Sequence, residues 1–323
     1  MELFIARFFA LDTVPRYIEN ISWIDTIDKQ QYLVERTVLE KSCSDHPFPP
    51  KHAQSLLEAV VRTCESERIP VAEIVYEQLA KSLTSSFIPD HCFGQYHVDD
   101  VCVIFETDAT SASAFVREGS TGFCTWEAGK CLSWFLCENY RYNNESILEL
   151  GCGTGVTGIV VAKYLGLDDG TYTFSDYHES TLDQARRNCK INNVHGQFKR
   201  IDILDNQREN LITTDVVVGA DILYDEELCS GLVEWLSNSE ISQFKEALIM
   251  STIRTDSTYE SFKQALGEHK DNVEFTVIHR MTMSEWIEAA RQSSRGEHWA
   301  RFLDSNKRLF DPIIELVRIV KTR

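Results

Sequence analysis

The stretch from 147 to 158, ILELGCGTGVTG, constrains the fold more than any other in the chain. Apolar residues at 147, 148 and 150 fit a short buried strand. Glycines follow at 151, 153, 155 and 158, opening the helical pattern GVTGIVVAKYLG. Glycine-rich turns between a strand and a helix occur where the backbone must closely approach a nucleotide. A chain containing one is committed to a β-α unit. Because parallel strands need crossovers, it needs further strands and helices to complete a sheet.

The rest of the sequence supplies them. Strand TYTFSD, helix STLDQARRNCKINN, strand FKRIDI, strand DVVVGAD, helix ELCSGLVEWLSN, strand ALIMSTI, helix YESFKQALGE and strand VEFTVIH follow in turn. A last strand, IIELVRIV, closes the series. Upstream, VCVIFET reads as a short strand, and GSTGFCTWEAGKCLSWFLCENY as a turn running into an amphipathic helix. Apolar strands alternating with helices predict an α/β fold with a mostly parallel, Rossmann-like sheet covered on both faces. Ligands of such sheets lie beyond the carboxyl ends of the strands.

Glycine and proline divide the chain. All fifteen glycines lie from Gly94 onward, whereas six of the seven prolines fall at or before Pro89. Residues 1–93 therefore read as a small all-α domain with proline punctuation. MELFIARFF gives an amphipathic first helix. RYIENISWIDTIDKQQYLVERTVLE places Ile18, Ile21, Ile24, Ile27, Leu33 and Val34 near one face, and HAQSLLEAVVRTCESE and VAEIVYEQLAKSL repeat the pattern. Residues 94–100 read as a linker, and 101–323 as the α/β domain.

A net charge of −18 argues against a nucleic-acid partner, since phosphate recognition needs clustered Lys and Arg, while it suits a basic protein surface. No apolar run approaches the roughly 20 residues that span a bilayer. The apolar start lacks the basic leader and small-residue cleavage site of a signal peptide. The ten cysteines include no C-x-x-C. Cys124, Cys131 and Cys137 have helical spacing, which fits burial better than zinc ligation. His91, Cys92 and His97 have the residue types of a metal site, but far more often of ordinary packing. The expectation is a reduced, cytoplasmic chain without a metal, with a monomer as the default state.

The glycine loop itself fits two nucleotides. Gly153 to Gly158 is G-x-G-x-x-G, the dinucleotide fingerprint, in which a pyrophosphate meets a helix N-terminus. Read from Glu149, with Gly151, Cys152, Gly153 and Gly155, it is E-x-G-x-G-x-G, where a carboxylate stands near the amino-acid end of S-adenosylmethionine. Asp176 closes the second strand, 25 residues after Gly151, where a carboxylate accepts hydrogen bonds from ribose hydroxyls in either class. Asp202, at the end of RID, sits where it could receive an adenine amino group. The strand Val216-Val217-Val218 delivers Asp221 and Tyr224, D-x-x-Y, to its carboxyl end, a pair without a standard use in a dehydrogenase.

With TGFCTWEAG, LELGCGTGVTG, FSD and ADILYD in this order and spacing, the chain from about Val101 onward resembles the seven-β-strand (class I) non-histone protein-lysine methyltransferases. The N-terminal segments YLVERTVLEKSCSDHPFPPKHAQSLLEAVVR and VYEQLAKSL further resemble the branch that methylates eukaryotic elongation factor 2. The resemblance implies a seven-stranded sheet, S-adenosylmethionine as cofactor and a lysine of a protein, elongation factor 2, as substrate. It implies that Asp221 orients the amine and Tyr224 walls the pocket. Trp126 would lie over the cofactor, Gly151, Cys152 and Gly153 would form the loop backbone, and Ala220 would be the small residue before the aspartate. Relatives often carry tryptophan where Ile203 stands, so an aliphatic contact replaces stacking near adenine. The connection 281–311, with Trp286, Trp299 and Phe302, is long and is expected to recognise substrate. Rival readings are a nicotinamide-dependent oxidoreductase, a cofactor-binding assembly protein without catalysis, and a methyltransferase of small molecules or RNA.

Overall fold

A computed structural model describes residues 1–12, 23–41, 45–84, 89, 91–107, 122, 124–142, 144–205, 212–306 and 310–322. Of the sequence features above, Ile18, Ile21, Thr121 and Phe123 lie outside the described residues. The chain divides into two compact units, residues 1–114 with 300–309, and 115–299 with 310–323.

The first unit holds helices α1 (Glu2–Phe9), α2 (Ile27–Glu35), α3 (Pro50–Ser66) and α4 (Glu73–Thr84). Phe8, Ile24, Leu33, Leu56, Leu57 and Val75 form its core, each almost fully buried. Burial of side chains this size contributes roughly 1.5–3 kcal/mol apiece. Ile27 departs from the expected apolar face and is 42% exposed. The physical reason is local: Thr26 ends the preceding turn in an extended conformation and caps α2 by accepting the Lys29 N–H, so the helical period restarts there. Residues 94–100, expected as a linker, lie instead in an antiparallel hairpin of β1 (Cys92–Val98) and β2 (Val101–Thr107). Alternate residues of β1 are buried there, including Tyr96 and Val98, which gives the hairpin a core face.

The second unit is built on a seven-stranded sheet. Its strands are β3 (Ile147–Leu150), β4 (Tyr172–Asp176), β5 (Gln197–Arg200), β7 (Val216–Ala220), β9 (Glu246–Ile253), β10 (Val273–Thr282) and β11 (Ile313–Lys321). Their order is β10-β11-β9-β7-β3-β4-β5, and β11 runs antiparallel to both neighbours, whereas the β9-β7-β3-β4-β5 pairs are parallel. A two-residue parallel pair, β6 (Ile212–Thr213) with β8 (Ser242–Gln243), lies apart. Helices α5 (Glu127–Glu138), α6 (Val156–Leu165), α7 (Glu179–Ile191), α8 (Glu226–Ser237) and α9 (Asp256–Glu268) alternate with the strands. Val216, Val217 and Val218 and all of β3 are buried, as strands covered on both faces require. The chain proceeds outward from β3 through β4 to β5 and then returns to β7. The strand order therefore reverses beside β3, which opens a crevice at the carboxyl ends of β3 and β7.

The connection 281–311 contains α10 (Met283–Arg291) and α11 (Gly296–Leu303). Three of its four large aromatics do not face solvent, whereas Phe310 is 70% exposed. Trp286 and Trp299 are fully buried and Phe302 nearly so. Trp286 donates its indole N–H to the Ile314 carbonyl and meets Trp134 edge-on, and the Trp299 indole donates to Glu138 at 3.0 Å. The aromatic signal in this segment thus reports packing, because an indole is buried readily once its N–H finds an acceptor.

Candidate active site

The glycine loop turns sharply after β3. Gly151 and Gly153 adopt left-handed φ values of 62° and 55°. A Cβ on Gly151 would stand 2.6 Å from Ile222, and one on Gly153 would stand 2.7 Å from the Gly122 carbonyl. Both positions thus need glycine for conformation and for space. The Cys152 N–H donates to the Ser175 carbonyl at 2.8 Å, and the Gly153 N–H donates to Asp176 Oδ2 at 3.1 Å. Asp176 Oδ1 accepts the His178 N–H at 3.0 Å. The end of β4 therefore grips the loop through one carboxylate. Burial raises the Asp176 pKa against these amides.

Around this loop lies a cavity of about 390 Å³, within the range of roughly 300–1,000 Å³ usual for small-ligand sites. Trp126, Glu149, Gly151, Cys152, Gly153, Asp176, Asp202, Ile203, Ala220, Asp221 and Tyr224 all line it. Gly155 does not. It is the left-handed N-cap of α6, packed against Ala185 and Phe174. Asp202 closes a turn by accepting the Leu204 N–H, and Ile203 packs its side chain on the core below.

Glu149 is buried at the end of β3, where the Tyr172 hydroxyl donates to it at 3.1 Å. Burial pushes its carboxyl up to about 8, opposed by that hydrogen bond and reinforced by the charge of Asp176. At neutral pH it is therefore mostly protonated, unlike the charged carboxylate that the sequence pattern suggests.

Asp221 directly follows β7 with φ of 52°, a conformation that costs a non-glycine residue about 1–3 kcal/mol. The β7–β9 register, Ala220 opposite Met250, sets its surroundings. Its N–H donates to the Met250 carbonyl at 2.9 Å. Oδ1 accepts the Thr252 N–H at 2.7 Å, and Oδ2 accepts the Thr252 hydroxyl at 3.0 Å. Arg254 Nη2 pairs with Oδ2 at 3.5 Å. Burial raises the Asp221 pKa, while Thr252 and Arg254 oppose it. The Arg254 guanidinium also lies over the Trp126 ring, 4.6 Å from its centroid. Tyr224, 59% exposed, stands on the rim and also lines a second cavity of about 210 Å³ with Thr252, Arg254, Tyr259 and Glu315.

Sequence reasoning missed Thr252 and Arg254. Their signal was present in STIRT, a polar turn at the carboxyl end of an apolar strand, where such folds place ligands. A carboxylate with three donors keeps one acceptor position to offer, and the glycine loop, Trp126 and Tyr224 line the same cavity. That arrangement can bind an adenosine-like ligand and hold an amine beside it.

The model of a family described as lysine methyltransferase matches residues 112–269. Protein-lysine N-methyltransferase EEF2KMT of Mus musculus is 27% identical over 253 residues, covering 72% of this chain and 74% of the relative. Protein-lysine N-methyltransferase EFM3 of Chaetomium thermophilum is 27% identical over 252 residues, 68% of this chain and 74% of that protein. EFM3 of Saccharomyces cerevisiae is 29% identical over 226 residues, 61% and 64% of the two chains. The chain thus combines a seven-stranded sheet whose β11 is reversed between β9 and β10 with similarity to the lysine methyltransferase family over residues 112–269 and to protein-lysine N-methyltransferases over about 70% of its length.

Proposed function

We propose that this enzyme transfers a methyl group from S-adenosylmethionine to the side-chain amine of a lysine in translation elongation factor 2. The observation that carries the reading is the single cavity lined at once by the glycine loop after β3 and by Asp221 and Tyr224 after β7. The residues fit the cofactor. The absence of side chains at Gly151 and Gly153 leaves a cradle beside the loop amides, and Asp176 and Asp202 stand at the ends of successive strands where hydroxyl and amino groups of an adenosine would be met. When bound, S-adenosylmethionine supplies an electrophilic methyl group on a sulfonium.

The chain's own part is to position the amine and dry it. A lysine is protonated in water, and presenting it neutral at pH 7 costs about 4–5 kcal/mol. Burial at the cavity mouth and nearby positive charge both favour the neutral amine and offset part of that cost. Asp221 offers the remaining acceptor position of Oδ1 to an amine N–H and so fixes the direction of the nitrogen lone pair. Its carboxylate is too well supplied with donors to serve as a strong base, so the proton leaves to water. Tyr224 and Trp126 line the cavity, where their rings would meet cationic groups of the bound ligands.

The relatives named EEF2KMT and EFM3, together with the N-terminal resemblance to the elongation factor 2 branch, support that substrate. The net charge of −18 suits a basic protein surface. We place the enzyme in the cytoplasm, as a monomer, alongside translation. Among the described residues no helix is long and apolar enough to cross a membrane.

The test is transfer of a tritiated methyl group to protein in cell extract, with products resolved by size. The expected result is one labelled band at the mass of elongation factor 2, lost on the order of a thousandfold in Asp221→Ala, while S-adenosylhomocysteine binding persists. Undiminished transfer by that variant would remove Asp221 from the mechanism. A labelled band of another mass would replace the substrate.

A further inference from the structure

Arg254 stands one residue beyond β9, with its side chain 40% exposed; it lines the smaller cavity and touches two residues that line the larger one. Its contacts are specific. Nη2 faces Asp221 Oδ2 at 3.5 Å, and the guanidinium covers the Trp126 ring at 4.6 Å. Trp126 directly precedes α5, and Asp221 directly follows β7. One side chain therefore joins the two residues that flank the mouth.

Asp221 does not need this arginine to stay in place. Its backbone N–H is tied to Met250, and Thr252 already gives its carboxylate two hydrogen bonds. What Arg254 adds is charge. The carboxylate is only 8% exposed, an environment that favours its neutral form, and a guanidinium remains charged at every physiological pH. Glu127, from the first turn of α5, also acts on Asp221, and its like charge opposes ionisation. The same guanidinium, 3.5 Å from the carboxylate that would receive the amine, repels an ammonium while tolerating a neutral amine.

We propose that Arg254 is a positioning residue for methyl transfer: acting through Asp221 and Trp126, it keeps the carboxylate ionised and makes the cavity mouth admit the target lysine as the neutral amine. This rests on the lysine-methylation reading above. The residue binds no cofactor atom and forms no bond in the reaction. It sets the charge state of the two groups that must meet.

The experiment compares wild type, Arg254→Met and Arg254→Lys. Met keeps an unbranched stem that can pack on Trp126 but loses the charge; Lys keeps the charge but loses the planar stack. Methyl transfer to elongation factor 2 is followed as kcat and KM across pH, and S-adenosylhomocysteine affinity is measured by calorimetry. For Arg254→Met, kcat at neutral pH is expected to fall about tenfold or more. The acid limb of kcat/KM should move to higher pH by about one unit, because Glu127 is left as a charged neighbour of Asp221. Cofactor-product affinity should stay within about threefold of wild type, and Arg254→Lys should regain most of the rate. An unmoved acid limb and undiminished kcat in Arg254→Met would overturn the proposal. So would equal loss in the Lys and Met variants, which would assign Arg254 to stacking alone. A wild type that transfers no methyl group to protein would instead remove the function on which the proposal stands.

Discussion

On the β3–β4 side of the cavity, the binding surface is made by backbone. Gly151 and Gly153 turn the backbone in left-handed conformations without side chains, and Asp176 spends both oxygens on main-chain N–H groups of Gly153 and His178. On the β7–β9 side it is made by side chains: Asp221 held by Thr252, Arg254 laid over Trp126, and Tyr224 left more than half exposed. The first wall is rigid because its polar groups are satisfied locally within a packed sheet. The second has more freedom beyond the main-chain-held Asp221, since Arg254 over Trp126 and the exposed Tyr224 are rotatable side chains. A cofactor shared by every turnover suits the rigid wall, and a protein substrate suits the adjustable one.

Changes at three residues test this contrast. The largest effect is expected from Glu149, buried beneath the rigid wall. Its folded-state pKa of about 8 lies above the unfolded value near 4.5, so its neutral form is the one the fold favours. That contribution is complete below the unfolded pKa and is lost as pH rises through 8. Glu149→Gln, neutral at all pH, should therefore gain stability over wild type as pH increases from 5 to 8, with a limiting slope of about 1.4 kcal/mol per pH unit in urea unfolding. A difference independent of pH would mean that the carboxyl is charged in the folded protein. Next comes Gly153→Val, where a Cβ meets the Gly122 carbonyl and the left-handed φ excludes a β-branched residue. Cofactor affinity should weaken about a hundredfold, near 2.8 kcal/mol, in a protein whose circular dichroism is unchanged. Undisturbed affinity would show that the loop is as adjustable as the opposite wall.

The smallest effects belong to Tyr224. Removing the ring in Tyr224→Ala should raise KM for the protein substrate by about tenfold, whereas Tyr224→Phe, which keeps the ring face, should stay within about threefold. S-adenosylhomocysteine affinity, read by calorimetry, should shift less than KM in both. If affinity for that product falls as far as KM rises, Tyr224 belongs to the rigid wall and the contrast between the two sides fails.

Much of this arrangement is legible in the residues themselves. The order of strands and helices, the glycine turn after β3 and the carboxylates at the ends of β4 and β7 are local features, written in short windows by burial period and by backbone conformations that few residues adopt. Even the capping of α2 by Thr26, which displaced Ile27 from the core, is a local rule that a longer apolar period masked.

The sequence by itself thus determined the α/β class, the glycine turn after β3 and the residues that line the cavity around it. Only tertiary structure decided that Asp221 would lie against Thr252 and Arg254, more than thirty positions away, because strand order and the Ala220–Met250 register bring those ends together. It also decided that Trp286 and Trp299 would turn inward, where Ile314 and Glu138 accept their N–H groups, and that Glu149 would lose its charge. The physical reason is the same in each case. Hydrogen-bond partners and dielectric surroundings come from residues distant in sequence, and no local pattern carries them.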